Sequence, residues 1–338
     1  MDILLLEALV PEAMKWLKAR HLLTFSPELA EDARALRSAL YKVRALVLPR
    51  QVMVNREFLD FAPKLEVVAR LQLGTDNTDL EACKERGVRV IHPSSANVRS
   101  NAEYLIGALL MLFRRGMVSA LMGRSSDNPH LGRELHGSVV GILGIAPTAH
   151  ALTPMLRAMG VRVIGYDPAV HHTAPIWERL DIEPVTLQDM VSLSDAVSVQ
   201  MLYASRYRNF IGESVLSYCK PGQFWVGISR SSLFDAAALA AALGDGRIEG
   251  CMLDGAEDGF AAADSPLHGV RNLFLTPRLG SHTRESRLRS SWYVAHRLHE
   301  TLEHAAANAG KPSSRPMDFE LPATETASQW AEPDLLPR

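Results

Sequence analysis

Gly144, Ala146, Pro147, Thr148 and Ala149 stand where an apolar run gives way to a helix-length segment, and Asp167 closes the next apolar run. A glycine in such a turn lets the backbone approach a pyrophosphate, the free N–H groups of the helix start stabilise its charge, and a carboxylate about 20 positions on accepts ribose hydroxyls. The chemistry of that set is dinucleotide binding. The turn is a reduced GxGxxG, with Ala146 and Ala149 in place of two glycines and Pro147 inside it. Alanine still permits close helix–strand packing, and proline in a first helical turn sacrifices no hydrogen bond. A carboxylate at Asp167 repels a 2′-phosphate, so NAD is expected rather than NADP; the bland alternative is a Rossmann-like unit with nothing in its site.

Other reactive side chains point to less. Cys83, Cys219 and Cys251 are odd in number, far apart and outside any CxxC spacing, which suggests neither a disulfide framework nor a zinc site and fits a reducing cytoplasm. His296 and His299 share a helix face, but no acidic third ligand is evident beside them, and they read as a polar face; no metal is expected. His171 and His172 follow Asp167 and read as a surface loop. A formal net charge of -2, with Lys and Arg scattered along the chain, gives no attraction to nucleic acid. The apolar run at 3–6 is far too short for a signal core or a membrane span, so neither export nor insertion is expected.

These residues need a frame. The 338 residues, 47% hydrophobic and 22% charged, exceed one small core and imply two domains. Short apolar runs at 3–6, 45–48, 67–69 and 88–91 alternate with amphipathic segments, and a second series begins at 139–143 and continues at 161–166, 196–200, 224–228, 251–253 and 273–275. That alternation is what parallel βαβ units produce. Between the series, 101–115 reads as a helix apolar on more than one face, to be buried by both lobes or by a second subunit. A long helix over roughly 283–307 could return to the first lobe. The expected division is 1–98 with 290–312, then 99–289, then a loose proline-containing tail at 313–338.

Four stretches in order resemble the D-isomer-specific 2-hydroxyacid dehydrogenases, over about 300 residues. "LGTDNTDLEACKERGVRVIHPSSANVRSNAE" is similar to their GVDNID…AAKERGI…PGAN…AE signature, and "GRELHGSVVGILG" to the opening of their NAD lobe. "KPGQFWVGISRSSLFDAAALAAALGDGRIEGCMLD" and "DSPLHGVRNLFLTPRLGSHT" look like their KPGA…ARGGLVDE…ALD and DSPL…LTPHIG blocks. The resemblance implies two Rossmann-like, doubly wound parallel-sheet domains with the active site in the cleft between them, and a homodimer through 101–115.

It also implies roles. The family arginine that binds a 2-oxo acid falls on Arg230, where a fixed fork of donors suits a carboxylate. The family histidine, which protonates the carbonyl oxygen, falls on Arg278, and a guanidinium releases no proton near neutral pH. The helper carboxylate falls by count on Gly259, with Glu257 and Asp258 just short of it; Glu257 is taken as the candidate. Backbone amides at Leu73 and Gly74 would hold the substrate carboxylate, with Gln72 in place of a family glycine. Met201, Ile228, Ser229, Asp254 and Ser281 join Gly144, Ala146, Pro147, Thr148 and Asp167 as cofactor-binding positions. His282, Tyr203 or a water could replace the missing acid. Arg278 beside Arg230 would suit a dianionic acid, or Arg278 could instead meet the pyrophosphate or a carboxylate such as Asp258. Two functions follow: an NAD-dependent oxidoreductase on a small 2-hydroxy or 2-oxo acid with an altered proton donor, or a catalytically weak NAD-binding sensor on the same frame.

Overall fold

The computed structural model describes residues 2–71, 77–93, 95–115, 117, 120 and 131–308, with side chains as far as 304. They fall into two units, one made by the chain up to Ala96 and again from Arg287 onward, the other by Asn97–Ser286. The tail at 313–338 lies outside the described residues.

The first unit begins β1 (Ile3–Leu5), α1 (Pro11–Lys18), β2 (Leu23–Phe25), α2 (Ala33–Leu40), β3 (Ala45–Val47), α3 (Arg56–Asp60), β4 (Val67–Ala69), α4 (Leu80–Glu85), β5 (Arg89–Ile91). The second runs α5 (Val98–Phe113), β6 (Val139–Leu143), α6 (Pro147–Ala158), β7 (Arg162–Tyr166), α7 (Pro175–Leu180), β8 (Glu183–Pro184), α8 (Leu187–Leu193), β9 (Ala196–Val199), α9 (Glu213–Leu216), β10 (Gln223–Gly227), α10 (Ala236–Gly244), β11 (Ile248–Asp254) and β12 (Leu273–Thr276). Helix α11 (Arg284–Asn308) follows, and from Arg287 its residues belong to the first unit.

The first unit's sheet has order β2-β1-β3-β4-β5, all parallel. Alternation along the strands explains its two cores. Ile3, Leu5, Ala45, Val47, Val67 and Ala69 pack with Leu17 of α1 and Val294, Leu298 and Leu302 of α11. Leu4, Leu46 and Val68 point the other way, onto Leu40, Leu59 and Ala82. A parallel sheet has no face for water, so its strands are apolar on both sides, and each buried leucine or valine contributes about 1.5–3 kcal/mol.

The second sheet, order β12-β11-β10-β9-β6-β7-β8, is likewise parallel. Leu105, Leu109, Leu152 and Leu156 cover one face and Met190, Val191, Leu216 and Leu239 the other. Successive strands run to opposite sides of β6, which makes the carboxyl ends of β6 and β9 the switch point where doubly wound sheets take ligands. Two strands escape the sequence pattern, β2 and β8. Both are short sheet edges with partly exposed residues, so neither carries an apolar run.

Candidate active site

Strand β6 ends in Gly144 at φ +95°, where an added Cβ would stand 2.5 Å from the Met201 Cα. Both the left-handed backbone and this close approach demand glycine. Ala146 then caps α6 with no side-chain hydrogen bond, Pro147 occupies its first turn, and Thr148 is buried beneath it. The first N–H groups of α6 therefore have no side-chain cap and favour an anion. Asp167 follows β7 and turns back to this loop: Ile145 N–H donates to its Oδ2 at 2.7 Å and Ala169 N–H to its Oδ1 at 2.7 Å. Each carboxylate oxygen keeps a lone pair for a hydroxyl. The turn, the uncapped helix and the carboxylate together fit NAD, which supplies hydride exchange when bound. Met201 borders the turn through its backbone, while its side chain is buried in the core.

Beyond β10, the Ser229 hydroxyl is shared by the carbonyls of Val199 (3.2 Å) and Met201 (2.9 Å), and Ile228 is half-buried beside it. Asp254 closes β11 with its carboxylate buried. Thr276 Oγ1 (2.6 Å) and Leu279 N–H (2.7 Å) donate to Oδ1, and Gly280 N–H (2.8 Å) to Oδ2. Because that carboxylate only accepts, the Thr276 hydroxyl must point at it and receive the Tyr104 O–H, 2.7 Å away. Burial pushes the Tyr104 phenol up to about 12, so it stays protonated.

This network shapes the 276–280 loop and with it Arg278, which is exposed and held at φ +60°. A non-glycine residue there is strained, and such strain persists only where surrounding bonds over-determine it. Arg278 Cγ lies 2.6 Å from where a Gly255 Cβ would stand, so residue 255, at φ +74°, has to be glycine. Ser281 is half-buried and His282 exposed, with its N–H on the Leu279 carbonyl at 3.0 Å.

Two residues past Gly255, Glu257 meets Arg230. Arg230 Nε donates to Oε1 at 2.6 Å, Ser232 N–H to Oε2 at 2.9 Å, and the Ser231 hydroxyl also reaches Oε2. Burial raises the Glu257 carboxyl, but the bonds from Ser231, Ser232 and Arg230 outweigh it and hold the group below the usual carboxylate range. Glu257 is thus a fixed anion near neutral pH. The Arg230 guanidinium also lies over the Tyr203 ring, 4.7 Å from its centre. A cleft of about 610 Å³ opens on this pair, lined also by Arg208, Asp258 and Phe260. The segment from Gly255 to Glu257 therefore carries Arg278 against its first residue and Arg230 on its last.

Ser231 and Ser232 were not among the expected site residues, nor was Thr276 or Tyr104. Two hydroxyls directly after Arg230 are a signal the sequence does carry; Tyr104 is far away in the chain and carries none. Leu73 and Gly74 lie outside the described residues. The backbone flanking them is held by Arg70, which donates to Thr78 Oγ1 and to the carbonyls of Pro49, Val52 and Asn77 at 2.8–2.9 Å.

The chain is similar to known proteins along most of its length. Residues 106–280 match the model of the D-isomer specific 2-hydroxyacid dehydrogenase NAD binding domain. An (S)-sulfolactate dehydrogenase from Chromohalobacter salexigens is 32% identical over 304 residues, 89% of this chain and 98% of that protein. A D-3-phosphoglycerate dehydrogenase from Mycobacterium leprae is 31% identical over 89% of this chain, which spans only 56% of that enzyme's length. Among solved structures, the D-lactate dehydrogenase of Aquifex aeolicus, crystallised with NAD and lactic acid, shares the fold at a TM-score of 0.75 and 20% identity, over 91% of this chain and 97% of that one. By its matched domain and its likeness to a relative along nearly all of that relative's length, the chain belongs to the D-isomer specific 2-hydroxyacid dehydrogenases, NAD-dependent oxidoreductases whose NAD-binding domain model matches residues 106–280 here.

Proposed function

We propose that the chain interconverts a small 2-hydroxy acid and its 2-oxo acid with NAD, and that this acid carries a second anionic group. Oxidation breaks the C2–H bond, with hydride leaving to NAD⁺ and the hydroxyl proton to solvent. Reduction is the reverse and takes a proton up.

Arg230 anchors the carboxylate and the C2 oxygen, and Glu257 with Ser231 and Ser232 holds its guanidinium in place. Arg278 binds the second anion. Neither Arg278 nor the ionised Glu257 can donate a proton near neutral pH, so water does so. The NAD turn from Gly144 through Ala146, Pro147 and Thr148, with Asp167 on the ribose, orients the cofactor, and Ile228, Ser229, Asp254 and Ser281 border its nicotinamide half.

The observation that carries this reading is Arg278 at φ +60°, strained yet held by the loop that Asp254 builds. A second fixed cation there answers a second charge on the substrate. Two relatives are named for sulfolactate and 3-phosphoglycerate, acids bearing a sulfonate or phosphate beside the carboxylate. The same reading makes the protein a cytoplasmic homodimer through α5. Its thiols are all unpaired and buried, and Ile106, Leu110 and Met111 stay half-exposed on that helix. Among the described residues no helix is long and apolar enough to cross a membrane.

The test follows NADH absorbance with a panel of 2-oxo acids, with and without a second acidic group. Dianionic members should be reduced with kcat/KM at least tenfold higher, Arg278→Ala should erase that preference, and Arg230→Ala should abolish turnover. No turnover with any member, alongside tight NADH binding by fluorescence, would leave the sensor reading standing instead.

A further inference from the structure

His21 and His299 come from opposite ends of the chain and meet within the first unit. His21 sits in the turn that ends α1, its N–H on the Leu17 carbonyl at 2.9 Å. His299 lies on α11, one turn before Glu303 and on the same face of the helix. The His21 Nε2 and His299 Nδ1 atoms are 2.9 Å apart, and one ligating atom each of His21, His299 and Glu303 falls within 4.8 Å of the other two.

The imidazoles are positioned by aromatic neighbours. Trp16 meets the His299 ring edge-on at 5.2 Å. His296 is engaged otherwise, tilted against Trp16 at 4.7 Å and stacked on Trp292 at 5.6 Å. Sequence spacing would pair His296 with His299; the fold pairs His299 with His21 instead.

We propose that His21, His299 and Glu303 form a zinc-class metal site that clamps the last helix to the first strand–helix pair of its unit. Two imidazoles and one carboxylate with a fourth position open to water suit Zn(II), or Ni(II) and Cu(II), and not Mg(II) or Ca(II), which want oxygen ligands. Tetrahedral Zn–N bonds place two nitrogens about 3.3 Å apart, so the observed pair needs to open by a few tenths of an ångström. Of the nearby cations, Arg44 is bound by Glu66 at 2.7 Å and Arg20 lies over Trp16. The three cysteines are buried singly with thiols pushed up, Cys83 to about 11, and offer no competing thiolate.

The full chain, stripped with a chelator, is titrated with Zn(II) against a chromogenic competitor and melted with and without the metal. One Zn(II) per chain should bind, and a hundredfold excess over its Kd should raise the Tm by about 5 °C. His21→Ala and His299→Ala should each weaken binding at least tenfold and remove the thermal shift. Glu303→Gln should weaken it less, and His296→Phe should leave it intact. If an alanine variant does not fold, His21→Asn and His299→Gln serve, with unchanged NADH binding as the check that the other unit is whole. Zinc binding that survives the His21 and His299 replacements, or no binding below 100 times the chain concentration, overturns the site.

Discussion

The cofactor turn and the Arg278 loop lie in one unit and are built in opposite ways. The turn carries one glycine and two alanines, with Gly144 close against the Met201 backbone, the first turn of α6 without a side-chain cap, and Asp167 reaching the loop. The Arg278 loop is fixed by Asp254 and presents a single side chain, a guanidinium that exchanges no proton near neutral pH. A site built from backbone N–H groups tolerates substitution wherever a small residue still fits. A site built from one side chain does not.

The largest test of that contrast is Arg278→His. If the loop is otherwise competent, a proton donor at 278 should raise reduction of simple 2-oxo acids by about 10²–10⁴-fold and introduce an inflection near pH 6.5 that the parent lacks. Steady-state rates across pH 5–9 measure both, and an unchanged profile would mean that the rest of the site has drifted as well. Gly144→Val comes next. A side chain at φ +95° against the Met201 backbone should weaken NADH binding about 10–100-fold, read by fluorescence titration, whereas Ala146→Gly should change it little. Undiminished binding in the valine variant would remove the turn from the cofactor site.

The smallest effect concerns Glu257. Its folded pKa is depressed, so its contribution to stability is present above the unfolded value of about 4.3 and is lost as pH falls through the lower folded one. With Arg230 about a third exposed, that contribution is about 1 kcal/mol. Glu257→Gln should therefore lower the Tm by a few degrees at pH 7 and not at pH 3, and an equal loss at both would mean packing rather than charge.

Much of this was legible beforehand. Alternating apolar runs disclosed the strands with two buried faces, and they missed β2 and β8, whose edge positions bury too little to leave a pattern. Gly144 and Asp167 were legible because the turn and its acidic partner are close in sequence. Glu257 was less so: counting pointed to Gly259, Glu257 was taken from the carboxylates beside it, and only the fold showed that it bonds Arg230 across the loop.

By itself the sequence determined the two parallel sheets, a glycine turn with an acidic partner, and a side chain at 278 that donates no proton, since each depends on local periodicity or on the identity of one residue. Only the tertiary structure decided that Asp254 supports the loop and does not stand free, that Glu257 belongs to Arg230, and that His299 meets His21. Those pairings join residues tens to hundreds of positions apart, and no spacing along a chain encodes which side chains its folding will bring within 3 Å.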